Sequence, residues 1–203
     1  MRMTERDKRC YKFLCEYKIP MTTDNISKLF YLEGNTTQSA LVIANRRLLK
    51  MVDEGYVNRL PRKFGEKAVF YCGEQPSKRT LRHKLIMSHF ISELVYNGFK
   101  IVSLQFEYNL PEKYHIRMDI FITVEYQEKL YYLFVEVDTS HELSLKYVDL
   151  IQDINKGTFK TKHQVLLVSI TDFPIKDELL KANFIHLDAE LSNFNKFRWK
   201  FIK

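Results

Sequence analysis

Asp119 and Glu136 are the two residues of this chain best spaced to do chemistry together. Residues 116–124 and 129–137 each read as a strand. With Gln127-Glu128 as a two-residue loop, Tyr126 pairs with Lys129 and Asp119 falls opposite Glu136, with Cβ atoms ~5 Å apart. Asp138 then lies one pair along, opposite Arg117. A four-residue loop over 126–129 keeps that pairing, whereas three or five residues would break it. Neither Gln nor Glu readily takes the positive φ that a tight hairpin turn asks for. The same register gathers Ile116, Met118, Ile120, Ile122 and Val124 with Leu133, Val135 and Val137 on the opposite, apolar face, and leaves the acids on the less apolar one. Two facing carboxylates repel at neutral pH unless a cation or a shared proton joins them. A divalent ion with oxygen ligands, Mg2+ or Mn2+, is one way to satisfy them. The alternative is that Glu136 and Asp138 are ordinary solvated acids at a strand end.

Both acids belong to a chain of 203 residues, 45% apolar and 28% charged. That is enough for one generous domain or two small ones, and it excludes global disorder. No apolar run approaches the ~20 residues of a membrane span. The charged start, residues 1–7, holds no apolar signal core. Cys10, Cys15 and Cys72 are an odd set without metal-ligand spacing, which reads as free thiols in a reducing cytosol. Charge is unevenly divided. Residues 1–80 carry 16 Lys and Arg against 9 Asp and Glu, and residues 81–203 carry 16 against 16. A basic segment joined to a neutral one points to a nucleic-acid-facing module attached to something else.

The basic part predicts three helices and a short hairpin. Thr4 with Asp7 opens a helix reaching about Tyr17, Thr22 or Thr23 caps a second over 24–30, and Thr36 or Thr37 starts a third that closes near Gly55. Residues 56–60 and 68–72 read as paired strands flanking a basic stretch. This order resembles a winged helix-turn-helix. The resemblance implies that Thr37, Gln38, Ser39 and Asn45 meet base edges, that Arg46 and Arg47 meet phosphates, and that Arg59, Arg62, Lys63 and Lys67 make the wing basic. The alternative is a small helical domain with a solvated, charged hairpin. Double-stranded DNA is favoured over RNA because no aromatic stacking motif of the common RNA modules is present.

Residues 73–78 read as the boundary between a domain over 1–75 and another over 79–203. The second predicts a helix over 79–96, a strand over 99–108, the hairpin above, a helix over 140–155, a buried strand over 164–170, a short helix over 176–182 and a short strand over 184–187. Trp199 and Phe201 are assigned to a last edge strand.

This α-β-β-β-α-β order, with acids on its second and third strands, resembles the restriction-endonuclease-like (PD-(D/E)xK) nucleases. In that pattern Asp119 and Glu136 are metal ligands, Met118 stands where Pro is common, and Asp138 occupies the place of the usual Lys. Lys146 on the following helix would supply a displaced ammonium. A resemblance over nearly the whole chain is to the replication-relaxation proteins of Gram-positive plasmids and phages, carried by Arg117-Met118-Asp119, Phe134-Val135-Glu136-Val137-Asp138-Thr139-Ser140 and Lys146-Tyr147. It implies a cytoplasmic, mobile-element DNA protein that meets replication or relaxosome proteins and forms a homodimer. If the second domain cuts DNA, Asp119, Glu136, Asp138 and Lys146 are its catalytic set; otherwise that domain serves dimerisation or partner contacts.

Other chemistries are excluded. His83 and His89 are six apart and on different helix faces, no phosphate-cradling glycine loop occurs, and no His-x-His cluster supports Tyr147 as a covalent nucleophile. His141 reads as a surface residue at a helix start.

Overall fold

Thr4 begins the structure with a capping box. Its hydroxyl accepts from the Asp7 N–H at 3.2 Å, and its own N–H donates to Asp7 Oδ2 at 2.7 Å, which starts α1 (Glu5–Glu16). The computed structural model describes residues 2–61, 66–139, 147–158, 161, 163–175 and 182–201. It is a mixed α+β protein that divides into two compact units, Met1–Tyr96 and Asn97–Lys203.

In the first unit, β1 (Met21–Thr22) precedes α2 (Thr23–Ile26), which widens into a π-turn at Ser27–Tyr31. Thr36 caps α3 (Thr37–Asp53) by accepting from the Ser39 N–H at 3.2 Å. β2 (Asn58–Arg59) and β3 (Val69–Tyr71) follow, then α4 (Lys78–Tyr96). The three strands form one antiparallel sheet in the order β1-β3-β2. β1 was not foreseen, because two residues carry no periodicity to detect. Cys10, Leu14, Met21, Ile26, Tyr31, Ala40, Ala44, Leu48, Met51 and Phe70 make the core. The spacing of Ala40, Ala44, Leu48 and Met51 turns one stripe of α3 inward.

Two expectations change here. Cys15 and Cys72 are joined in a disulfide, with Cα atoms 5.1 Å apart, and only Cys10 is free. The end of β3 lies beside α1, a proximity that a sequence separation of 57 residues hides. The unit also ends at Tyr96 rather than near residue 75. α4 belongs to it through a buried polar cluster: Asn25 Nδ2 donates to Ser88 Oγ at 3.1 Å, and Ser92 Oγ donates to Asn25 Oδ1 at 3.2 Å. Lys28 adds an ion pair to Glu93 at 2.6 Å.

The second unit runs β4 (Lys100–Asn109), a 3-10 turn at Glu112–Tyr114, β5 (Arg117–Tyr126), β6 (Lys129–Val137), α5 (Val148–Asn155), β7 (Gln164–Ile170), β8 (Phe184–Leu187) and α6 (Phe194–Trp199). Its sheet has the order β4-β5-β6-β7-β8. The first three strands are antiparallel, and β7 and β8 add parallel to β6. α5 is the crossover between β6 and β7 and packs Leu150, Ile151 and Ile154 against Phe134, Val165 and Leu167. The expected edge strand at Trp199 and Phe201 is instead helix and turn. Phe194, Phe197 and Phe201 recur at helical spacing and are all buried, which a two-residue period would not allow. The expected helices over 140–155 and 176–182 are described only at residues 147–155, where the helix is Val148–Asn155, and at residue 182.

Candidate functional site

On the first unit, Thr37, Gln38, Ser39, Asn45 and Arg46 are all exposed, and all project from α3. Gln38, Ser39, Asn45 and Arg46 sit away from the stripe that meets the core, whereas Thr37 lies in line with that stripe at the helix start. The Thr36 hydroxyl also donates to Ser39 Oγ at 3.0 Å, which orients that side chain at the helix start. Lys67, just before β3, is exposed as well. It lines a cleft of about 410 Å³ together with Thr23, Asp24, Leu41, Val42, Asn45 and Ala68.

Arg47 does not join this face. Its Nε donates to Asp7 Oδ1 at 3.0 Å, one Nη donates to Asp7 Oδ2, and the same Nη reaches the Arg2 carbonyl at 3.0 Å. Residue 47 follows Ala44 by three and precedes Met51 by four, so it stands at the rim of the buried stripe, and the fully buried Asp7 captures its guanidinium. The Tyr31 hydroxyl donates to the same carboxylate at 2.7 Å. Burial alone would push the Asp7 carboxyl up, but the Arg47, Tyr31 and Thr4 donors outweigh it and hold it down at about 2. Arg59 is half buried on β2, with its Nε out of water and without a hydrogen-bond partner among the described residues. Arg62 and Lys63 lie outside the described residues.

On the second unit, Gln127 and Glu128 do form a two-residue turn, both in the left-handed region at φ 50° and 64°. Tyr126 pairs with Lys129, and the ladder continues to Ile120 opposite Val135. There the ladder ends, one pair short of the acids. Asp119 takes over by accepting the Val137 N–H on its Oδ2 at 2.7 Å. Its carboxylate is thus engaged by the backbone of the neighbouring strand. The expected pairing of Arg117 with Asp138 is not made; Arg117 is exposed and points to Glu107, 3.7 Å away. The Asp138 N–H donates to the Ile170 carbonyl and carries the chain into register with β7.

Asp119, Glu136 and Asp138 are each partly exposed. Their side of the sheet carries Phe121 and Phe134, both stacked with Tyr108, and Tyr132, which meets Phe121 edge-on; all pack in the cluster that α5 joins. Tyr147, only 1% exposed, brings its hydroxyl to Glu136. Burial pushes that phenol far up, helped by the Glu136 charge and hydrogen bond and by the charges of Asp119 and Asp138. Lys146, the expected displaced ammonium, and His141 lie outside the described residues.

Sequence reasoning missed two members of this region. Ser169 pairs with Glu136 across to β7, and His186 pairs with Ser169 across to β8. A polar row therefore crosses three parallel strands near their carboxyl ends, where open α/β sheets commonly bind ligands. Ser169 is fully buried, and its Oγ has no hydrogen-bond partner among the described residues. The His186 Nε2 lies 2.9 Å from the Thr171 carbonyl, which can only accept, so Nε2 donates in that contact. The available signal was a single hydroxyl interrupting an apolar run over 165–170.

Whether this set fits a divalent ion can be judged from its donors. Among the described residues no three His, Cys, Asp or Glu side chains gather as metal ligands would. The Asp119 carboxylate has an internal donor in the Val137 N–H. Asp119 and Glu136 would supply two carboxylate ligands to such an ion, and other residues of the expected site lie outside the described residues.

No family model matches the chain, and no curated protein matches its sequence.

Proposed function

We propose that this chain is a double-stranded DNA-binding protein of a mobile element, acting in the cytoplasm in transcriptional, replication or mobilisation control. In this reading the first unit works as a winged helix-turn-helix. The second is a restriction-endonuclease-like scaffold for homodimerisation or for contact with replication or relaxosome proteins. The observation that carries the reading is the outward face of α3, where Gln38, Asn45 and Arg46 stand exposed, with Lys67 on the cleft beside Asn45. Amide side chains suit base edges and cations suit phosphates. Charge agrees with this division: residues 1–96 hold 18 Lys and Arg against 10 Asp and Glu, while residues 97–203 hold 14 against 15. The contact set is narrower than the sequence suggested, because Arg47 is held by Asp7.

The test is a binding titration of the full chain on random-sequence duplex DNA over a range of salt. Affinity should fall steeply with salt, and Arg46→Ala should lower the slope of log affinity against log salt by about one. Arg47→Ala should act mainly through stability, since its guanidinium is an internal group. Salt-independent binding, or an Arg46→Ala slope equal to the wild type, would overturn the assignment.

A second reading, a DNA endonuclease or nickase at Asp119 and Glu136, draws on the row formed by Glu136, Ser169 and His186. Supercoiled plasmid incubated with the protein and Mg2+ or Mn2+ tests it. Nicking that disappears in both Asp119→Ala and Glu136→Ala supports it, and nicking that persists in either belongs to a contaminant.

A further inference from the structure

Val42 is the residue of α3 that the DNA-binding reading leaves without a task. It is 59% exposed, the highest value among the exposed large apolar side chains described. Gln38, Val42, Asn45 and Leu49 follow one another at intervals of four, three and four, so they share one outward stripe of the helix. Thr23, Leu41 and Ala68 bring further methyl-bearing side chains to the cleft that Val42 lines. Asn45 and Lys67 stand at the same cleft, and the acid among its lining residues, Asp24, is partly neutralised by Lys28 at 3.4 Å.

An exposed β-branched residue in mid-helix costs up to about 0.7 kcal/mol of helix propensity relative to Ala. It also holds apolar surface in water that no described residue of this unit covers. In the major groove of duplex DNA a single base presents an apolar group on its edge: thymine, through its C5 methyl. Gln and Asn side chains match the adenine N6/N7 edge. The stripe therefore alternates adenine-type hydrogen bonding with methyl contact, in the order Gln38, Val42, Asn45.

We infer that Val42 is a specificity-determining residue that packs against a thymine methyl, so that the protein prefers sites with an A·T pair at the centre of the helix footprint. The inference rests on the DNA-binding reading above and names the chemistry that α3 would select.

The experiment enriches a randomised-core duplex pool on the full chain, then replaces each thymine of the enriched site by deoxyuridine, which lacks only the methyl. Losing one buried methyl group should weaken wild-type binding about fourfold at a single position. Val42→Ala should bind the thymine duplex about as weakly as the wild type binds the deoxyuridine duplex. It should also be indifferent to that replacement while keeping the wild-type salt slope. Because the side chain is exposed, the variant is expected to fold, and its helical circular dichroism checks this. Wild-type binding that is indifferent to every deoxyuridine replacement overturns the inference, as does Val42→Ala retaining the wild-type sensitivity. Salt-dependent binding without enrichment of any sequence also overturns it while leaving the DNA-binding reading intact. Failure to bind any duplex removes both.

Discussion

Replacing Asp7 by Asn keeps the shape of a fully buried side chain and removes its charge. In the wild type that carboxylate accepts from Arg47, Tyr31 and Thr4, and together they hold it at about 2 against an ordinary value of 3.8. A folded-state value below the unfolded one means that ionisation stabilises the fold. The stabilisation is complete above pH 3.8 and is lost as pH falls through about 2. At 1.36 kcal/mol per pH unit it amounts to about 2.5 kcal/mol at pH 7 and about half that at pH 3. Urea titrations of the full chain, followed by far-ultraviolet circular dichroism, read the effect. The three longest helices among the described residues, α1, α3 and α4, all lie in the first unit, so the helical signal largely reports it. Asp7→Asn should lower the stability of that transition by about 2.5 kcal/mol at pH 7, with the gap to the wild type narrowing as pH approaches 3. A gap that stays constant between pH 7 and pH 3 would refute the ionic account, leaving only a loss of packing or capping. A gap below about 0.5 kcal/mol at pH 7 would refute the network altogether.

Cys72→Ser opens a covalent loop closed over 57 residues of separation and should destabilise the first unit by about 3 kcal/mol in the same titration. Dithiothreitol should have the same effect on the wild type and none on the variant. In the second unit, changing Gln127-Glu128 to Asn-Gly relieves two positive-φ residues without Gly at the hairpin. It should raise the unfolding midpoint by an amount equivalent to about 1 kcal/mol, read by thermal unfolding. An unchanged midpoint would mean that the turn carries no strain.

Much of the chain was legible before any tertiary structure. The Thr4/Asp7 box and the Thr36 cap marked helix starts because capping is a local exchange between a side chain and the nearest free N–H groups. The hairpin register from Tyr126/Lys129 to Ile120/Val135 followed from period-two alternation about a fixed turn centre. It came out with a turn whose residues are poorly suited to it, because the packing of two apolar strands outweighs the cost of two left-handed residues.

Long-range pairing was beyond reach. Nothing near residue 47 marks its guanidinium as the partner of residue 7, and nothing near residue 15 marks its thiol as the partner of residue 72. The row from Glu136 through Ser169 to His186 depends on two parallel crossovers whose register no local pattern encodes. The two charge territories, the helix starts and the central hairpin could be read from residue order, since each rests on neighbours along the chain. Which cations stay on the surface and which acids gain internal donors depended on the fold, because a charge entering the interior binds whatever donor packing places beside it.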